Sequence, residues 1–82
     1  MSIGTSDIYA ALAEIFREVF PRATTPPQAD TTSDDVPGWD SLGHVSIIGE
    51  IEDRFGIEFS SEEYVAFDSV GDLVSLIEAK LP

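Results

Sequence analysis

Three side chains suited to chemistry fall within five positions: Asp40, Ser41 and His44. They carry the functional groups of a serine hydrolase, in which a base takes the hydroxyl proton and a carboxylate orients the base. The surrounding sequence argues against that use. No Gly-x-Ser-x-Gly elbow is present, and no strand pattern supplies a sheet to mount one. Helical spacing also turns His44 toward the apolar side, away from Leu42. His44 is therefore expected to be packed and hydrogen-bonded beneath the preceding loop. What remains is a serine hydroxyl at the start of a helix. Either Ser41 caps that helix, or Asp40 takes the cap and Ser41 stands free. The positive helix end then favours a phosphate ester attached at Ser41. Metal chemistry has little to draw on. The chain has no Cys and one His, and its carboxylates lack the spacing of an EF-hand loop.

The elements that position Ser41 follow from hydrophobic spacing. Ile8, Leu12, Ile15 and Val19, with Phe16 beside them, mark a first helix. Thr5 or Ser6 is its expected cap, and Pro21 stops it after Phe20. Residues 21–39 then place Pro21, Pro26, Pro27, Pro37 and Gly38 among Thr, Ser and Asp. A connection of this length is either functional or slack, and Val36 and Trp39 are suited to pinning its end. A second helix runs from Asp40 or Ser41 to Phe55 and stops at Gly56, free to take positive φ. Ser60 and Glu63 form a capping box for a short third helix carrying Tyr64, Val65 and Phe67. The fourth helix starts near Asp68 or Ser69 and runs to about Lys80, with Val70, Leu73, Val74, Ile77 and Leu81 as its stripe. The sum is an all-α bundle of three main helices plus one short helix, with a long loop between helices one and two. It occupies residues 1–82 as a single domain.

The second helix has two unlike faces. Ile47, Ile48, Ile51 and Phe55 form the core face, with Val45 at its edge. Leu42, Ser46, Gly49 and Asp53 lie opposite, with Glu50 beside them. Leu42 is a large apolar residue on a polar face, next to Ser41. Gly49 costs about 1 kcal/mol against Ala in a helix interior; it either admits close approach of a partner or is simply tolerated.

Charge narrows the partners. Sixteen Asp and Glu oppose four Lys and Arg, for a net charge of −12. Nucleic acid and anionic lipid are poor partners for such a surface, since binding polyanions normally requires Lys and Arg to displace counterions. Basic protein surfaces fit instead. From Asp40 to Glu63 the acids are Asp40, Glu50, Glu52, Asp53, Glu58, Glu62 and Glu63, against the single base Arg54. Met1–Asp7 has no basic, apolar leader pattern, and no run approaches the roughly 20 apolar residues that span a bilayer. The expectation is a soluble, cytoplasmic monomer with no membrane insertion.

Asp40-Ser41-Leu42 at the start of a second helix, after a 19-residue loop, resembles the acyl carrier protein family. The resemblance covers nearly the whole chain, from Ile8 to Leu81, and includes the ending Glu50-Ile51-Glu52-Asp53-Arg54-Phe55-Gly56. The fuller string Pro37-Gly38-Trp39-Asp40-Ser41-Leu42-Gly43-His44 is similar to stand-alone carriers of specialised pathways. The resemblance implies that Ser41 is the attachment site for 4′-phosphopantetheine. A phosphopantetheinyl transferase (the carrier protein synthase) would deliver that group from coenzyme A with Mg²⁺, and its terminal thiol would hold an acyl group as a thioester. The protein would then be a shuttle with no turnover of its own. It would serve acyl-loading and acyl-processing enzymes of fatty-acid, polyketide or related biosynthesis. Asp40 and Leu42 would belong to the recognition motif, and Ser46, Gly49, Glu50, Glu52 and Asp53 to the docking face. Ser46 and Gly49 depart from the acidic and larger apolar residues the family often carries there, which implies a dedicated partner set. An aminoacyl or peptidyl carrier, or an acidic interaction module without a prosthetic group, are the alternatives that the sequence leaves open.

Overall fold

The computed structural model describes residues 4–81 and contains four α-helices: α1 (Thr5–Val19), α2 (Ser41–Phe55), α3 (Ser61–Tyr64) and α4 (Val70–Lys80). A single 3₁₀ turn, Ser33–Asp35, lies in the long loop, and no strand occurs among the described residues. The all-α expectation holds.

Each helix begins where the chain offers an acceptor for its first N–H groups. Asp40 caps α2, Ser60 caps α3 and Ser69 caps α4 through their side-chain oxygens. The cap of α1 is Gly4 rather than Thr5 or Ser6; the Asp7 carboxylate accepts from the Gly4 N–H at 3.1 Å. Glycine serves there because a backbone cap needs no side chain when the N3 carboxylate reaches back. Gly56 closes α2 in the left-handed conformation, with φ 67°.

α3 is shorter than the spacing suggests. Val65 and Phe67 lie beyond it, in the connection to α4. Val65 N–H bonds the Glu62 carbonyl, tightening the last turn, and the Tyr64 carbonyl bonds the ring of His44 on α2. A tertiary partner thus takes an acceptor that a longer helix would have used internally.

The core is built from Ile8, Leu12, Ile15 and Phe16 of α1, Ile47, Ile48 and Ile51 of α2, and Val70, Leu73, Val74 and Ile77 of α4. Burying an aliphatic side chain of this size contributes about 1.5–3 kcal/mol relative to leaving it in water. Phe20, Val36 and Trp39 extend this core under the long loop. Trp39 stacks on Phe20 at 5.7 Å between ring centroids and meets the edge of Phe16 at 5.4 Å. The loop is also tied to α4, whose Val70 and Gly71 N–H groups donate to the carbonyls of Thr31 and Ala29 at 2.8 and 2.9 Å. Residues 21–39 are therefore a packed strap, anchored just before Ser41.

Candidate functional site

The turn that leads into α2 is fixed on both sides. Gly38 adopts φ 93°, a conformation that favours glycine. Trp39 follows, buried, with its N–H on the Val36 carbonyl at 3.1 Å. Asp40 then caps the helix, its Oδ1 accepting from the Gly43 N–H at 2.9 Å. The two possibilities left by the sequence are thereby resolved: Asp40 takes the cap, and Ser41 is the first helical residue, exposed to solvent. Its hydroxyl stands at the positive end of a 15-residue helix.

Beside Ser41 lies an open groove of about 480 Å³ between α2 and α3. Its floor is aromatic, from Trp39, His44, Tyr64 and Phe67, and Val65 and Ser33 stand at its rim. Sequence reasoning placed Trp39, His44, Tyr64 and Phe67 in the fold but did not bring them together here. The spacing Trp39 to His44 is visible in the sequence; the Tyr64 carbonyl is not, because a backbone acceptor has no residue identity.

His44 is packed and hydrogen-bonded as expected. Both its ring nitrogens are engaged, Nδ1 by the Trp39 indole and Nε2 by the Tyr64 carbonyl. Neither is left to take a proton from Ser41, so the triad letters do not form a triad.

Leu42 and Val65 are exposed at 76% and 73%, and Val45 at 57%. Val45 is thus not at the edge of the core. It follows Leu42 by one helical turn, and the two form an exposed apolar ridge on α2. Ser46, Gly49, Glu50 and Asp53 are exposed on the same helix. A side chain built at Gly49 would meet nothing within 4 Å, so the glycine leaves an open notch in that face. Glu52 differs from its neighbours. It is half-buried, and its carboxylate accepts the Phe59 N–H at 2.8 Å, fixing the connection to α3.

The bases do not dilute this acidic face. Arg54 reaches to α1 and pairs with Glu14 at 2.7 Å. Its guanidinium holds the Glu14 carboxyl below the usual carboxylate range, by a direct hydrogen bond and by its charge. Lys80 pairs with Glu63 at 2.7 Å and lowers that carboxyl in the same way, helped by the Ser60 N–H. Glu50, Asp53, Glu58 and Glu62 form no ion pair among the described residues.

Comparison with known proteins places this geometry. A family model described as phosphopantetheine attachment site matches residues 10–77. Acyl carrier protein from Streptococcus pyogenes is 37% identical over 73 residues, covering 89% of this chain and 95% of that protein. Acyl carrier protein 3 from Ralstonia nicotianae is 50% identical over 44 residues, spanning 54% of this chain and 51% of that protein. The solution NMR structure of holo acyl carrier protein from Geobacter metallireducens superposes with a TM-score of 0.80 at 35% identity, covering 88% of this chain and 83% of that one. The chain belongs to the phosphopantetheine-attachment family and, within it, to the acyl carrier proteins, whose members are carriers modified by a transferase and not catalysts.

The residues present fit a covalently attached phosphopantetheine. Attachment needs an accessible nucleophilic oxygen with room for a phosphodiester, and the α2 start offers both: an exposed hydroxyl freed from capping, at a helix end that favours negative charge.

Proposed function

We propose that Ser41 is the oxygen that receives the 4′-phosphopantetheine, and that residues 1–82 act as one carrier domain in the cytoplasm. A phosphopantetheinyl transferase would supply the group from coenzyme A with Mg²⁺. The Ser41 Oγ–P bond forms as the pyrophosphate P–O bond of coenzyme A breaks, the adenosine bisphosphate leaves with the electron pair, and the serine proton passes to the transferase. When bound, the group supplies a thiol on which acyl chains travel as thioesters. The protein's own residues do the presenting. Asp40 closes the helix, Trp39 anchors the preceding turn, and Leu42, Val45 and Val65 offer apolar contact beside Ser41.

The partners that fit are biosynthetic enzymes with basic docking surfaces. Glu50 and Asp53 supply long-range attraction and Ser46 and Gly49 shape the contact, while Glu52 adds charge and holds the α2–α3 connection. Charge steering of this kind gives fast, salt-sensitive, transient association. The acyl-carrier names of the relatives favour an acyl cargo in fatty-acid, polyketide or related synthesis.

The observation that carries the reading is the exposed Ser41 hydroxyl beside an Asp40 cap. Incubation of the chain with coenzyme A, Mg²⁺ and a promiscuous transferase tests it. Intact mass rises by one phosphopantetheine, and Ser41→Ala abolishes the gain while helical circular dichroism is kept. Unchanged mass of the wild type, under conditions where the transferase loads another carrier, rejects the proposal.

A further inference from the structure

The ring of His44 is held at both nitrogens. The Trp39 Nε1–H donates to His44 Nδ1 at 3.0 Å, and His44 Nε2 lies 2.8 Å from the Tyr64 carbonyl oxygen. An indole N–H accepts nothing, and a carbonyl oxygen donates nothing. Both bonds form together only when Nδ1 is bare and Nε2 carries the hydrogen. The partners therefore select one neutral tautomer. The same ring stacks on Phe67 at 5.3 Å and meets the edge of Tyr64 at 4.6 Å. One side chain thus joins the end of the long loop, the first turn of α2 and the end of α3, which together wall the groove beside Ser41.

Adding a proton disturbs this arrangement at one bond. The proton enters at Nδ1, where it faces the Trp39 N–H, so donor meets donor. The Tyr64 bond survives. Asp40 and Tyr64 are the titratable side chains that line the groove with His44, and the Asp40 Oδ1 is held by the Gly43 N–H. From the α3–α4 connection the neighbour is Phe67, and from the α1 side, behind Trp39, the neighbours are Phe16 and Phe20, all uncharged.

We infer that His44 is a positioning residue for Ser41: a proton-sensitive clasp that, when neutral, holds Trp39 against α2 and α3 and keeps the serine turn in its loading geometry. Protonation at Nδ1 releases Trp39 and loosens that turn. The inference rests on Ser41 being the attachment point.

Two measurements test it, and the first does not depend on attachment. The chain has one Trp and one His, so the Trp39 indole and the His44 ring nitrogens give unambiguous NMR signals. In the neutral ring Nδ1 is unprotonated and Nε2 protonated, and wherever acid titration charges the His44 ring the Trp39 indole N–H signal moves with it. An indole signal that stays fixed while His44 titrates overturns the clasp.

The second measurement is the initial rate of Ser41 loading by a phosphopantetheinyl transferase. His44→Phe keeps the aromatic body and loses both bonds, and loading slows by about three- to tenfold, the weight of one ordinary hydrogen bond. His44→Gln offers an amide oxygen to Trp39 and an amide N–H to Tyr64. It restores most of the rate, and the ratio of its rate to that of wild type, taken with the same transferase, rises wherever protonation of His44 opens the wild-type clasp. Wild-type loading by His44→Phe overturns the positioning role. If His44→Phe is not helical, Trp39→Phe removes the donor alone and is expected to slow loading in the same way. If wild type itself is not loaded, the Ser41 assignment falls, while the NMR titration still decides the clasp.

Discussion

Two glycines of α2 show how residue-level consequences depend on surroundings. A side chain at Gly43 would run into the Gly38 carbonyl and come within 2.8 Å of Phe20 Cε1. Gly38 cannot yield easily, since it sits at positive φ just ahead of buried Trp39. At Gly49 the same addition meets nothing within 4 Å. Alanine is favoured over glycine in a helix by about 1 kcal/mol, whereas forcing atoms into a packed site costs about 1–3 kcal/mol. Gly43→Ala is therefore expected to destabilise the fold and Gly49→Ala to stabilise it by up to about 1 kcal/mol, both measured by urea denaturation. Equal effects at the two sites would mean that the helix start is not seated on the turn. The sequence does not separate these glycines, because both fall inside the same helical pattern and only the approach of Gly38 and Phe20 distinguishes them. The same limit applied to Ser41. Local chemistry narrowed the cap to Asp40 or Ser41, and backbone geometry decided it. His44 was more readable, since helical spacing alone turned it inward.

At the scale of elements, the long loop is the part whose composition misleads. Its Pro, Thr, Ser and Asp content reads equally as slack linker. Val36 and Trp39 were visible anchors, yet Pro27 is also buried, and the strongest ties to α4 come from the backbone carbonyls of Ala29 and Thr31. Those carbonyls satisfy N–H groups that every helix start leaves open, and no side-chain pattern announces them. The approach is close: a side chain at Gly71 would lie 2.9 Å from the Ala29 carbonyl oxygen. Gly71→Ala is expected to lift the strap from the start of α4. Hydrogen exchange at Val70 should then accelerate while Ile47 and Ile51 in the core keep their protection, since local opening need not involve the whole fold. Protection at Val70 equal to wild type would show that the strap is not held at this point. The helices themselves were far more readable, because their caps and apolar spacing are properties of side chains. α3 alone fell short of its pattern, ending where the Tyr64 carbonyl turns to His44.

For the whole molecule, charge sets the conditions of stability. A net −12 is carried on a body with a Cα radius of gyration of 11.7 Å. The screening length is about 30 Å at 0.01 M salt and about 10 Å at 0.1 M, so at low salt every acid feels every other. Opposing this among the described residues are two ion pairs, Arg54–Glu14 and Lys80–Glu63. Both paired carboxyls titrate lower in the folded chain than they do unfolded. Their contribution is therefore present above the ordinary carboxylate range and is lost as pH falls through the folded values. Salt screens these exposed pairs too, but they are two against a large uncompensated excess. Raising NaCl from about 0.01 to about 0.2 M at neutral pH should therefore raise the melting temperature, and millimolar Mg²⁺ should do so at lower ionic strength by pairing with neighbouring acids. A melting temperature that falls with salt would show instead that the two pairs outweigh the repulsion. In that case Arg54→Gln would lower stability markedly at low salt and remove much of the salt dependence, and the acidic face would stand as a surface that the fold tolerates without strain.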